Sequence, residues 1–249
     1  MTDHALKPPP ARLLLSEWPR AALTVARLAG ARARLDAAPR GDGRPVLVLP
    51  GLFNSDLSNA VLRRYLTRLG YAAHPWTLGR NFGVRTIGGD ASRLLARLER
   101  VAQDAGAPVT LVGISLGGIM ARLAAHRRPA LVREVITVAS PYAAHPHATN
   151  VWRAFELVTG ERVDSPEVRA LSAEIAAPLP VPATAIWSAR DGLVNGHACR
   201  DDHARCIEVT SGHIGVQLNP DVLLAIAEVL ANQAGAPAQA EAQEHQRSL

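Results

Sequence analysis

The stretch "VTLVGISLGGIM", residues 109–120, drives a run of β-forming residues into a serine fenced by glycines and continues at once into a helical pattern. Ser115, in Gly113-Ile114-Ser115-Leu116-Gly117, has the G-x-S-x-G spacing of a nucleophile elbow. In such an elbow the strand-to-helix turn is so tight that the flanking positions tolerate almost no side chain, and the serine is lifted to the carboxyl edge of a sheet. The helix that follows aims the positive end of its dipole at that edge, where negative charge develops during acyl transfer. A serine in the Gly-rich crossover of a nucleotide-binding fold would instead be accompanied by G-x-G-x-x-G after the first strand, and "PGLFNS" does not provide it.

A serine hydroxyl is a poor nucleophile until a base takes its proton, and the base must be held in one orientation by an acid. On a sheet of this kind the chain order is Ser, acid, His. His213 in "VTSGHIGV" falls just past the last predicted strand and Asp191 in "WSARDGLV" just past the one before it, both at the edge that carries Ser115. His197 and His203, with Asp201 and Asp202, are the rivals in the connecting loop. An oxyanion needs two backbone donors. One is the N–H of Leu116, after the nucleophile; the other comes from "LPGLFNSD", where Gly51 lets the backbone turn in close and Leu52 is the expected donor, with Phe53 as the fallback. Chemistry of this kind calls for no metal and no organic cofactor.

The elements that must position these residues are legible as alternating strands and helices. "RPVLVLPG", "YAAHPWTL", "PVTLVGIS", "VREVITVASP", "ATAIWSARDG" and "CIEVTSGH" read as strands, with helical patterns such as "NAVLRRYLTRLG", "DASRLLARLERVAQDAG" and "PDVLLAIAEVLANQ" between or after them. This alternation predicts an α/β fold with a doubly wound, mostly parallel sheet of about six strands, over residues 44–234. An insertion at about 142–182 holds "NVWRAFELVTG" and "SPEVRALSAEIAAPL", which predict a small helical cap supplying an apolar acyl pocket. Phe53, Trp76, Tyr142 and Trp152 are the candidate substrate-binding side chains, with Arg80 and Phe82 as further candidates in the second crossover.

Residues 1–43 form a basic, amphipathic helical segment in which Leu13, Leu14, Trp18, Ala22, Val25, Leu28 and Leu35 recur at roughly helical spacing. Pro19, Arg20 and Arg27 break it as a signal peptide or a bilayer span, which leaves a helix packed on the domain as the simpler reading and a membrane-surface helix as the other. The expectation is a cytoplasmic protein, with any membrane contact peripheral and through this helix. Residues 235–249 are polar and small and predict a disordered tail. The net charge of +5 comes from dispersed arginines with only 4% aromatic residues, a pattern that argues against nucleic acid as a partner and leaves a small-molecule or lipid ester. Cys199 and Cys206 lie between the candidate acid and base. A disulfide there would tie that loop down, whereas zinc on Cys199, His203 and Cys206 lacks a fourth ligand of normal spacing.

Taken together, "VLVLPGLFNSD", "VTLVGISLGGIMAR", "ITVASPYA", "SARDGLV" and "EVTSGHIGV" resemble the α/β-hydrolase superfamily, in the style of compact bacterial lipases and esterases, over about residues 44–232. The resemblance implies a serine hydrolase acting on carboxylic esters, with Ser115, Asp191 and His213 as its catalytic residues. Acyl transfer by the same residues, or a non-catalytic scaffold that binds a lipid or partner, are the alternatives. Pro50 departs from the pattern of many relatives, which carry histidine before the oxyanion glycine; the departure concerns how the oxyanion loop is hydrogen-bonded.

Overall fold

The computed structural model describes residues 6–160 and 162–232. The N-terminal segment is helical: α1 (Ala11–Leu15), α2 (Glu17–Gly30) and α3 (Arg32–Asp36). Then come β1 (Pro45–Leu49), α4 (Ala60–Leu69), β2 (Ala72–Pro75), the short α5 (Val84–Ile87), α6 (Ser92–Ala105), β3 (Val109–Ile114), α7 (Leu116–Arg127) and β4 (Val132–Val138). The insertion contributes α8 (Trp152–Thr159) and α9 (Pro166–Ala176); β5 (Ala183–Trp187), β6 (Arg205–Glu208) and α10 (Pro220–Asn232) complete the order. The expected tail at 235–249 lies outside the described residues.

The six strands form one sheet in the order β2-β1-β3-β4-β5-β6, every pair parallel. Parallel strands are covered on both faces, so each strand splits its apolar residues between two cores by simple alternation. Val46 and Val48 with Val112 and Ile114 pack beneath α3, α4 and α10. Leu47 and Leu49 with Val109 and Leu111 pack beneath α6 and α7. The order reverses between β1 and β3, so the loops leaving these two neighbours diverge and open a crevice at the carboxyl edge.

Local signals set the element ends. Helix α4 stops at Gly70, whose φ of +106° only glycine adopts freely. Helix α9 starts where Ser165 Oγ accepts the N–H of Val168, with Pro166 at the first turn. The cap is fastened to the core by Arg122 of α7, which is 1% exposed, lies over the Tyr142 ring at 3.8 Å, and donates to the Ile175 and Ala177 carbonyls at 2.7 Å each.

The N-terminal helices pack on the domain with a face that only partly follows the apolar spacing. Glu17 and Thr24 are buried in α2, and Leu28 and Leu35 reach the core. Leu15, Trp18, Leu23 and Val25 stand outward, Trp18 at 73% exposure. Among the described residues no helix is long and apolar enough to cross a membrane.

Both cysteines are free thiols, Cys199 buried and Cys206 exposed on β6. Burial raises both thiols above their ordinary range, Cys199 well above it. Native protein should therefore titrate one thiol, Cys206, and denatured unreduced protein two, with reductant leaving the thermal midpoint unchanged. Finding no thiol in the denatured, unreduced chain would establish a bridge instead.

Candidate active site

Strand β3 ends at Ile114, and Ser115 turns the chain into α7 with φ 52° and ψ −120°, a conformation L-residues rarely adopt. The glycines around it are required by space. A Cβ on Gly113 would sit 2.3 Å from Gly118 Cα, one on Gly117 2.3 Å from the Leu49 carbonyl oxygen, and one on Gly118 2.1 Å from Ser140 Oγ. The "GISLGG" run thus lets strand, turn, helix and the neighbouring β1 and β4 ends close on one another, with Ser115 left facing the crevice.

His213, past β6, places Nε2 3.0 Å from Ser115 Oγ. Its Nδ1 lies 2.6 Å from Asp191 Oδ2. Asp191 is 3% exposed, and its other oxygen accepts the N–H groups of Leu193 at 2.9 Å and Val194 at 2.8 Å, so the carboxylate is fixed from both sides. Burial alone would push the His213 imidazolium down; the charge and hydrogen bond of Asp191, with the charge of Glu17 behind them, override it and hold the pKa above the ordinary histidine value. The rival groups are turned elsewhere. His197 lies against the Trp187 ring at 5.2 Å, Asp201 sits 3.7 Å from the Arg122 guanidinium, and Asp201 Oδ1 accepts the His203 N–H.

Leu52, Leu116 and Ser115 meet at one cavity. The Phe53 N–H is bound to the Asn81 carbonyl at 2.8 Å, which removes it as a donor and leaves Leu52. The loop that Pro50 leaves without a histidine is braced by Asn81, fully buried in the second crossover. Asn81 Nδ2 donates to the Pro50 carbonyl at 2.7 Å, its Oδ1 accepts from Gly83, and its backbone N–H donates to Asn54 O. Nothing local marks Asn81 for this role, since an isolated Asn between Arg80 and Phe82 reads as a loop residue.

The cavity is about 160 Å³ and almost wholly apolar, walled by Ile87, Ile119 and Met120 from the core and by Trp152, Phe155, Leu171 and Ile175 from the cap. Of the four side chains expected to touch substrate, Trp152 lines it. Trp76 does not: it is fully buried, its indole N–H held by the Gly79 carbonyl at 2.9 Å. Tyr142 is buried under Arg122 and anchors the cap rather than the ligand. Phe53 stands outside the cavity wall, 42% exposed and edge-on to Phe82. An aromatic residue at a strand end or loop serves core and pocket equally well, and only packing tells which.

Cys199, His203 and Cys206 do not gather as metal ligands. Among the described residues the one group of ligating side chains with atoms within 4.8 Å of one another is His145, His147 and Asp164, at the cap.

No protein-family model matches the chain, and no curated protein matches it in sequence. Solved structures do. One of two metagenome-derived lipolytic enzymes superposes with a TM-score of 0.58 at 16% identity, covering 80% of this chain and 96% of its own. A thermostable carboxylesterase from a metagenomic library gives 0.56 at 16% identity, over 80% of this chain and 82% of its own. A Bacillus licheniformis lipase gives 0.54 at 17% identity, over 78% and 94%. The chain has the α/β-hydrolase fold. In α/β-hydrolases the elbow follows a central strand and the histidine comes last in the chain; here Ser115 and the loops that carry Asp191 and His213 follow β3, β5 and β6 in that order.

Proposed function

We propose that the protein hydrolyses carboxylic esters through an acyl-enzyme on Ser115. The observation that carries this reading is the unbroken array Asp191–His213–Ser115, at 2.6 and 3.0 Å, opening onto an apolar cavity. His213 Nε2 takes the Ser115 proton as Oγ bonds to the ester carbonyl carbon. Leu52 and Leu116 N–H groups hold the oxyanion while Asp191 fixes the imidazole tautomer and stabilises its cation. Collapse breaks the bond to the alkoxy oxygen, which leaves with the proton from His213. Water then repeats the attack and frees the acid. The solved structures that share the fold include enzymes described as lipolytic, as a carboxylesterase and as a lipase, which supports the ester as substrate class.

The cavity sets the acyl length. A volume of 160 Å³ is close to that of an apolar protein cavity that takes up benzene, at ~150 Å³, so an acyl chain of about six carbons fills it. Across p-nitrophenyl esters from acetate to palmitate, kcat/KM should peak near hexanoate, each filled methylene being worth up to about 0.8 kcal/mol. A maximum at acetate, or at palmitate, would contradict this use of the cavity, and no turnover of any ester would contradict the reading itself.

A further inference from the structure

The buried face of α2 carries a carboxylate where a packed helix ordinarily carries a hydrocarbon. Glu17 is 1% exposed, and both its oxygens are used. Oε1 accepts the Gly192 N–H at 2.7 Å and the Arg20 guanidinium at 3.0 Å; Oε2 accepts the N–H groups of His213 at 2.8 Å and Ile214 at 2.9 Å. Gly192 follows Asp191 in the chain, so one side chain grips the backbone of both the acid loop and the histidine loop. Neither loop is otherwise regular structure at these positions. The fit is close on both sides: a Cβ on Gly212 would lie 2.8 Å from Glu17 Oε2, and one on Gly192 2.5 Å from the Leu13 carbonyl oxygen.

The rest of the N-terminal segment straps the same loops. Arg20 also donates to the Arg190 and Leu13 carbonyls. Asn150 Nδ2 bridges the Pro9 and Gly192 carbonyls, and Asn195 Nδ2 donates to the Lys7 carbonyl. A buried carboxylate is costly unless its lone pairs are filled, and here they are filled by the backbone of the two loops the chemistry depends on.

We propose that Glu17 is a positioning residue of the active site, a carboxylate that the N-terminal helix inserts to lock the Asp191 and His213 loops in register with Ser115. This rests on the ester-hydrolase reading and deepens it: the segment before the sheet is part of the site. The role has an electrostatic signature. The charged groups around His213 are Asp191 from the acid loop, on the ring, and Glu17 from α2, on the backbone N–H of His213, with Arg20 behind Glu17, while the Ser115 elbow brings only a hydroxyl. The Glu17 charge favours the protonated imidazole. His213 must be neutral to act as base, so kcat/KM rises with pH through its pKa. Removing the Glu17 charge lowers that pKa and moves the acid limb to lower pH; removing Arg20 exposes His213 to more of that charge and moves the limb up.

The test uses the full chain and its Glu17→Gln and Arg20→Met variants, with p-nitrophenyl hexanoate turnover against pH and an NMR titration of the His213 ring. In Glu17→Gln, kcat should fall on the order of 10- to 100-fold with KM little changed, since a mispositioned base and not a lost substrate contact is the defect. The acid limb and the ring titration should both move to lower pH, and in Arg20→Met both should move up. A role in folding alone would lower activity or the thermal midpoint and leave the His213 titration in place. If Glu17→Gln does not fold, the sign of the Arg20→Met shift decides. Wild-type turnover retained in Glu17→Gln, or ring titrations that do not move, overturns the proposal. An inactive wild type would count against the ester reading alone, since the ring titration needs no substrate.

Discussion

Ser115→Ala should abolish ester turnover, lowering kcat on the order of 10⁶-fold, and should abolish labelling by a fluorophosphonate. The size follows from the array: without Oγ there is nothing for His213 to deprotonate, and among the described residues no other serine is placed 3.0 Å from its Nε2. The fold should be untouched, because alanine keeps the Cβ and meets the same backbone demand at φ 52°. Ser115→Gly separates chemistry from strain. It should be equally inactive yet melt higher than the alanine variant, since holding an L-residue in such a conformation costs about 1–3 kcal/mol and glycine's extra chain entropy returns only about 0.5–1 kcal/mol of that. Label recovered on another serine, or near-normal turnover in Ser115→Ala, would remove Ser115 from the mechanism.

Asp191→Asn should cost about 10⁴-fold in kcat with little change in stability. The geometry says why an amide fails. Oδ1 of Asp191 accepts two backbone N–H groups, from Leu193 and Val194, and Oδ2 faces His213 Nδ1. In the asparagine variant the carbonyl oxygen stays with the two N–H donors and the amide N–H₂ is left facing His213. The imidazole then accepts at Nδ1 and carries its proton on Nε2, so the nitrogen that faces Ser115 has no lone pair with which to take the hydroxyl proton. Loss of the Asp191 charge also lowers the His213 pKa, so the residual activity should have its acid limb at lower pH than wild type. The paired change of Asp201 and Asp202 to Asn is the control. Asp201 faces Arg122 and the His203 N–H rather than His213, so turnover should stay within about tenfold of wild type. An inactive double variant beside a working Asp191→Asn would place the acid in the loop.

The sequence by itself determined the parts of this protein whose cause is local. The largely apolar runs at 45–49, 109–114 and 132–138 read as strands covered on both faces, and Gly113-Ile114-Ser115-Leu116-Gly117 between strand and helix can hardly turn otherwise, because any side chain at Gly113 or Gly117 collides with backbone. Chain order then selected Asp191 and His213, since in a parallel sheet every strand delivers its following residue to the same edge. What joins distant segments was decided only by the tertiary structure. Apolar spacing points to Trp18 and Val25 as the inward face of α2. The face that packs instead carries Glu17, because three loop N–H groups, up to 197 residues away, and Arg20 satisfy its carboxylate. Asn81 bracing the Pro50 loop and Arg122 pinning the cap are of the same kind. A pattern of hydrophobicity records how much a side chain loses by meeting water; it holds no record of which buried donors and acceptors a long-range fold will bring to meet one another.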